Sequence, residues 1–235
     1  DMKPLKSLVR QIASLHRKGY EILIVSSGAV GAGVEALGMK ARPTTVPDLQ
    51  MCAAVGQARL MSHYEALFNA EKITIGQVLL THADFQHRIR FANAKRTMEH
   101  MIRHAVIPII NENDVVADEE IKADLSLGDN DYLAALVVKL VRADILVILS
   151  TVDGVLDAHH KRVHCIENLN EAFALVTPPK AGGLSKGGMD SKLRAAQIAV
   201  KTGCGVVIAC GRDKNVLTDV MAGNDTGTLI LSSAL

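Results

Sequence analysis

Tryptophan is absent from these 235 residues, and the remaining aromatics are 3 Tyr and 4 Phe. Single strands of nucleic acid are gripped by bases stacking on rings, and this chain has too few rings to build such a platform. An excess of charge is missing too: 26 Lys+Arg face 25 Asp+Glu, a net charge of +1, without the basic surplus of a dedicated nucleic-acid binder. That balance still leaves room for a local basic pocket. The four cysteines, Cys52, Cys165, Cys204 and Cys210, form no CxxC pair, which removes zinc-ribbon and dithiol-redox readings. Buried, reduced thiols in a cytoplasmic setting are the expectation. The longest apolar runs, such as Ala105 to Ile110 and Ile145 to Leu149, are of strand length. They fall far short of the roughly 20 residues of a membrane helix. The stretch Asp1 to Arg10 has mixed charge and no apolar block, so no secretory signal is read there. No GxxxxGK[ST] and no HExxH occurs, and neither His159-His160 nor His82 with His87 has metal-ligand spacing, so no protein metal site is expected.

With 49% hydrophobic residues, the chain can build a full core as one domain. Short β-rich runs alternate with segments of helical period, the pattern of βα units around a mainly parallel sheet. The apolar runs predict strands at Ile22 to Ser26, Ile73 to Leu80, Val106 to Ile110, Ile145 to Leu149, Gly205 to Ala209 and Thr228 to Leu231. Helices are expected at Leu5 to Lys18, Leu49 to Asn69, Asp84 to His104, Asp131 to Arg142, Gly188 to Thr202 and Asn215 to Ala222. Pro and Gly cluster only in Thr177 to Gly188, a flexible loop rather than a linker. Arg88, Arg90, Lys95, Arg96 and Arg103 read as the solvated face of one helix.

Four segments offer chemistry, each beside a plainer reading. Ser26-Ser27-Gly28-Ala29 and the glycines that follow, between a strand and a helix, can close backbone N–H groups on an anion, or simply make a tight turn. Asn111-Glu112-Asn113-Asp114 sits where a strand ends, the position at which open α/β sheets bind ligands; turn-forming is the alternative. Its donors and acceptors suit a zwitterion such as an amino acid. Gly128-Asp129-Asn130-Asp131 precedes a helix and either caps it or supplies carboxylates for lysines or for magnesium on a phosphate. Lys186-Gly187-Gly188-Met189-Asp190-Ser191-Lys192 runs a glycine-rich loop into a helix, with Lys192 one turn in; the alternatives are a phosphate cradle and a mobile surface loop.

In this order, the segments Val25-Ser-Ser-Gly-Ala-Val30, Ala54-Val-Gly-Gln57, Ile109-Ile-Asn-Glu-Asn-Asp114, Gly128-Asp-Asn-Asp131, Gly187-Gly-Met-Asp-Ser-Lys192 and Gly227-Thr-Leu229 resemble the amino-acid kinase superfamily. The Ile-Asn-Glu-Asn-Asp run favours its glutamate-phosphorylating branch. The resemblance implies a three-layer α/β/α sandwich with a mainly parallel central sheet. It also implies transfer of phosphate from ATP, with Mg²⁺, to the side-chain carboxylate of L-glutamate, the first step towards proline. Ser27, Gly28, Ala29, Asn111, Asp114 and Asn130 match substrate-binding positions, with Asp114 facing the ammonium. Ser150, Thr151, Lys186, Gly187, Gly188, Met189, Asp190, Ser191 and Lys192 match nucleotide-binding positions. Lys192 also matches the lysine that stabilises the transferring phosphoryl, and Asp131 the carboxylate that orients the catalytic lysines. Thr151 departs from an aspartate in the family.

Family members open with a strand ending in Lys-x-Gly-Ser or Lys-x-Gly-Thr, and no such motif precedes Leu5. The expectation is therefore a kinase domain over residues 1–235 that lacks its first strand, with no appended RNA-modification-type domain in these residues. The resemblance further implies a homo-oligomer, with proline as a candidate feedback inhibitor, and no nucleic-acid or membrane partner. Three other readings stay open: a kinase for a related acid such as acetylglutamate, a non-catalytic amino-acid or nucleotide module, and a Rossmann dehydrogenase. An acylated amine carries no charge for Asp114 to pair with, which argues for a free amino acid.

Overall fold

The computed structural model describes residues 3–117, 129–169, 172–173 and 188–232. The chain divides into two compact units, one of residues 16–119 and one of residues 1–15 with 120–235. Each is an α/β assembly, as expected from the alternating pattern.

The first unit holds β1 (Ile24–Val25), α2 (Ala29–Ala36), α3 (Val46–Ala70), β2 (Ile75–Leu80), α4 (His82–Gln86), α5 (Arg88–Arg103) and β3 (Ile107–Glu112). Its sheet runs β1-β3-β2 with both pairings parallel. Parallel strands are covered on both faces and read as continuous apolar runs, and Ile107, Ile109 and Ile110 of central β3 are buried accordingly. Pro108 is tolerated in that strand because β1 pairs only with Ile109 and Ile110, leaving no ladder bond on that side for a proline to break.

The second unit holds residues of α1 (Lys3–Arg17), then α6 (Asp129–Val141), β4 (Ile145–Ser150), β5 (Cys165–Ile166), α7 (Met189–Val200), β6 (Gly205–Cys210), α8 (Val216–Met221) and β7 (Thr228–Ile230). Its sheet order is β4-β6-β7-β5, parallel except for β6 against β7. Alternate β6 side chains serve opposite faces, as the strand period requires. Val206 and Ile208 join Ala135, Val138, Leu193, Ala196 and Val200 of α6 and α7, while Val207 and Ala209 join Leu8 of α1 and Val216 and Leu217 of α8. In this unit helices therefore cover both sides of a sheet, the three-layer arrangement.

Several boundaries differ from the expected ones. β3 runs two residues further, so Asn111 and Glu112 are ladder residues paired with Leu79 and Leu80, and the turn begins only at Asn113. The expected single helix from Asp84 to His104 is broken at His87, whose extended backbone (ψ 110°) ends α4 while its Nδ1 accepts from the Arg90 N–H at 3.4 Å. α3, α5 and α6 stop without glycine: Lys72, Ala105 and Arg142 take φ of 56–58° just past the helix ends. Each stop is closed by bonds back to the last turn, such as Ile73 N–H to Phe68 O at 3.0 Å. β5 has only two residues and no apolar run to announce it. Most of the loop expected at Thr177 to Gly188 lies outside the described residues. No helix among the described residues is long and apolar enough to cross a membrane.

Candidate functional site

The second unit brings three of the expected residues into direct contact. Leu193, Ala195, Ala196 and Ala199 give α7 a buried face of mostly small side chains, which lets it pack closely with Ala135 and Val138 of α6. That packing joins the first turns of both helices. There Lys192 Nζ donates to Asp131 Oδ2 at 3.0 Å, with only 10% and 16% of the two side chains exposed. Ser191 Oγ lies 2.9 Å from the same oxygen and 2.8 Å from Gly188 O, so its one hydrogen chooses between the two. A lysine in the first turn of a helix opposes the helix dipole. Asp131 compensates it, and the cluster concentrates a cation, a hydroxyl and the unpaired N–H groups of a helix start at one place, which is chemistry for an anion. Asn130, one residue before Asp131, has its Oδ1 buried with no hydrogen-bond partner among the described residues. Such an acceptor is costly unless a ligand donor reaches it.

The remaining nucleotide-loop residues are less engaged. Met189 and Asp190 begin α7, and Asp190 pairs with Arg194 at 2.8 Å on the exposed side. Gly188 is the extended residue before the helix. Ser150 ends β4, where its carbonyl accepts from Gly211 N–H at 2.9 Å, and Thr151 is exposed just beyond. Lys186 and Gly187 lie outside the described residues, as does Gly128.

Gly227-Thr228-Leu229 turns out to be a fastening. The buried Thr228 Oγ1 accepts from Val155 N–H at 2.9 Å and donates to Val163 O at 2.6 Å, tying the stretch after β4 to β7. A Cβ on Gly227 (φ 73°) would lie 2.4 Å from Ile208 O, so only glycine fits there.

In the first unit, β1 and β3 are parallel neighbours with Val25 opposite Ile110, so the segments following both strands emerge at one edge. Ser27 and Gly28 are exposed there, and Gly28 has φ 102° at the start of α2, a conformation that favours glycine. Ala29 is buried. Ser26 faces inward, its hydroxyl 2.9 Å from the Tyr64 hydroxyl, and burial pushes the Tyr64 phenol above its ordinary pKa. The later glycines of that segment serve packing rather than anion contact: a Cβ on Gly33 would lie 1.8 Å from Cys52 O, and one on Gly56 would lie 1.8 Å from Ala29 O. α2 and α3 thus touch backbone to backbone.

Asn111 is 3% exposed and turned inward. Its Nδ2 donates to Gln57 Oε1 at 2.8 Å, its Oδ1 accepts from Glu112 N–H at 2.9 Å, and Gln57 Nε2 donates to Gln77 Oε1 at 3.2 Å. Gln57 had no role in the sequence reading beyond its place in a motif; a lone glutamine in an amphipathic helix gives no sign that it braces a strand end. Asp114 stands in the turn after β3, partly exposed.

The amino acid kinase family profile matches residues 1–210 of the chain. Among curated proteins, the chain is 41% identical over 233 residues to the glutamate 5-kinase of Clostridium acetobutylicum, covering 97% of this chain and 86% of that protein. It is 42% identical over 232 residues to the glutamate 5-kinase of Nitrosococcus oceani, covering 96% of this chain and 61% of that one. For the glutamate 5-kinase of Teredinibacter turnerae the figures are 44% over 235 residues, 98% and 62%. Apart from the Clostridium protein, the chain thus spans about three fifths of these relatives. Of solved structures, carbamate kinase from Giardia lamblia bound to AMP-PNP superposes with a TM-score of 0.64 at 20% identity, over 97% of this chain and 89% of that one. N-acetylglutamate synthase from Neisseria gonorrhoeae, complexed with coenzyme A and N-acetyl-glutamate, gives 0.71 at 14% identity, over 100% and 57%.

Proposed function

Because this chain belongs to the amino acid kinase family, we propose that it transfers the terminal phosphoryl of ATP to the side-chain carboxylate of L-glutamate, yielding glutamyl 5-phosphate and ADP. The observation that carries the reading is the Lys192–Asp131 pair with Ser191 beside it. A glutamate side chain has a pKa of about 4.3, so the nucleophile is already ionised at neutral pH and no general base is required. The chemistry reduces to holding an anion in line with a polyanion while cations and N–H groups accept the developing charge. Lys192 is assigned that charge, and Asp131 orients it. Ser150, Thr151 and residues 186–191 are assigned to the nucleotide. Ser27, Gly28, Ala29, Asp114 and Asn130 are assigned to glutamate; the partnerless Oδ1 of Asn130 suits an ammonium donor. Asn111, whose amide is spent on Gln57 and Glu112, is assigned only a positioning part.

Magnesium fits best as a cation carried on the nucleotide's phosphates. Asp131 Oδ2 already accepts from Lys192 and has Ser191 within reach, which suits it to orienting a lysine more than to chelation. The proposal extends to residues 1–235 acting as one kinase domain, to a reducing, cytoplasmic setting for the four free thiols, to self-association, and to inhibition by proline.

The test is ATP- and Mg²⁺-dependent hydroxamate formation with hydroxylamine on the full natural polypeptide, comparing L-glutamate with N-acetyl-L-glutamate. Hydroxamate from free glutamate alone is expected. Product from the acetylated acid alone reassigns the acceptor, and none from either overturns the kinase reading.

A further inference from the structure

Resting on the reading that the Ser27–Gly28 turn binds glutamate, we propose that Tyr64 is a positioning residue for that turn. Its hydroxyl, acting through Ser26, holds the Ser27–Gly28 peptide so that the Gly28 N–H faces outward to an anionic group of the substrate. Tyr64 itself touches no substrate atom, and it belongs to none of the motifs that carry the family resemblance.

Ser27 and Gly28 are exposed. Gly28 O accepts the first helical bond of α2, from Ala32 N–H at 2.9 Å, and among the described residues no acceptor meets the Gly28 N–H. The orientation of the peptide between Ser27 and Gly28 is therefore set from its flanks, and α3 grips both of them. Upstream, buried Ser26 has its hydroxyl 2.9 Å from the hydroxyl of buried Tyr64. Downstream, Ala29 O packs against Gly56 so closely that a Cβ there would lie 1.8 Å away. Ser26 N–H also donates to Ile110 O at 2.8 Å, which ties the start of the turn to β3.

Ser26 and Tyr64 have one hydroxyl hydrogen each. The Ser26 hydroxyl donates to Ser27 O across a long 3.4 Å, so the Tyr64 hydroxyl is the donor to Ser26 Oγ. Burial keeps the phenol above its ordinary pKa, and Tyr64 holds that proton at neutral pH. Hydroxyls bonded in series polarise one another, which strengthens the long last bond. The Ser27 carbonyl is thereby turned inward. The peptide is trans, so the Gly28 N–H on its other edge points the opposite way, outward. A phenylalanine would fill the same apolar space without a hydroxyl to desolvate. Among the described residues the one hydrogen-bond partner of the Tyr64 hydroxyl is Ser26, next to the turn.

Steady-state hydroxamate kinetics on the full natural polypeptide, together with calorimetric titration of L-glutamate, test this in wild type, Tyr64→Phe, Ser26→Ala and the double variant. Each substitution removes one oxygen and adds no bulk, so the variants should fold. Tyr64→Phe should raise KM and Kd for glutamate about tenfold, equivalent to about 1.4 kcal/mol, with kcat and the KM for ATP within twofold of wild type. Ser26→Ala should do the same, and the double variant should lie within about twofold of either single one, because both break one relay. Met98→Ala, at a buried site on α5, should lower stability more and leave KM for glutamate unchanged. Glutamate KM and Kd within twofold of wild type in Tyr64→Phe overturn the proposal. So does a fall in kcat as large as the rise in KM, full additivity in the double variant, or a similar rise in KM in Met98→Ala. Wild-type protein that binds glutamate without forming hydroxamate removes the kinase reading, and the Kd comparison then decides on Tyr64 alone. Wild-type protein that does not bind glutamate removes both.

Discussion

Replacing Lys192 by Met removes the ammonium and keeps most of the buried stem, so the change isolates a charge 3.0 Å from Asp131 Oδ2. At that distance and an effective dielectric near 20, the bare attraction is about 5–6 kcal/mol. Both side chains are mostly out of water, and desolvation takes back a large part of the attraction. The net coupling expected in a double-mutant cycle with Asp131→Asn is therefore about 1–3 kcal/mol. Lys192→Met alone should lower stability by a similar amount, or about 2–4 °C of Tm per kcal/mol for a chain of this size. In the Asp131→Asn background the same substitution should cost less, because the ammonium in the first turn of a helix then faces the dipole without the Asp131 carboxylate. Catalysis should respond differently. A cation about 4 Å from developing phosphoryl charge contributes about 4 kcal/mol, so kcat for hydroxamate formation should fall about a thousandfold. Urea denaturation followed by circular dichroism gives the cycle, and the hydroxamate assay gives kcat. Stability changes that add to within about 0.5 kcal/mol would show that the pair is not coupled. A kcat for Lys192→Met within tenfold of the parent would remove Lys192 from the chemistry.

Three further outcomes follow from packing and burial. Gly56→Ala and Gly33→Ala each drive a Cβ to 1.8 Å from facing backbone and should cost more than about 3 kcal/mol; Gly31→Ala in the same helix meets nothing within 4 Å and should stabilise by about 0.5–1 kcal/mol, both read by urea midpoints. Asn111→Ala strands the Gln57 amide and should cost about 1–3 kcal/mol in the same measurement, with KM for glutamate rising more than kcat falls if Asn111 positions the strand end. Burial pushes the Cys204 thiol from its ordinary value of 9.0 up to about 11, with the neighbouring Asp144 charge adding to the rise. Iodoacetamide at pH 8 should therefore modify exposed Cys165 first and Cys204 only on unfolding. Since the folded state holds that proton more tightly, its contribution to stability is present below pH 9 and is lost between about pH 9 and 11 as the unfolded thiol ionises; Tm measured across that window should fall, and should fall less in Cys204→Ala.

How much of this was legible in the sequence depends on what kind of signal each feature leaves. Apolar strands such as the partly buried β4 and the buried β6 advertise themselves as apolar runs, and the helices that cover them show an apolar period; those elements were readable to within a residue or two. Helix ends were harder to read, because Lys72, Ala105 and Arg142 adopt the left-handed turn usually marked by glycine. The break at His87 has no proline or glycine to announce it. Of the candidate site, Lys192 and Asp131 were named from a motif, and their pairing needed the packing of α6 on α7 to become visible. Asn111 was read as ligand-facing because it sits at a strand's carboxyl end; β3 runs on through it, and its amide meets Gln57, a contact that no run of polar residues announces.

The contact of α2 with α3 also bears on how this sequence can change over time. Because Gly33 and Gly56 meet backbone rather than side chains, no mutation in a neighbouring side chain can make room for a methyl group at either position. A larger residue must push one helix bodily away, and α2 starts immediately after Ser27 and Gly28. Drift at position 56 is therefore transmitted through Ala29 to a turn far away in the chain. These two glycines are locked against gradual substitution, and lineages carrying this fold can explore new side chains along the exposed face of α2, around Gly31, long before they can alter the face that α3 reads.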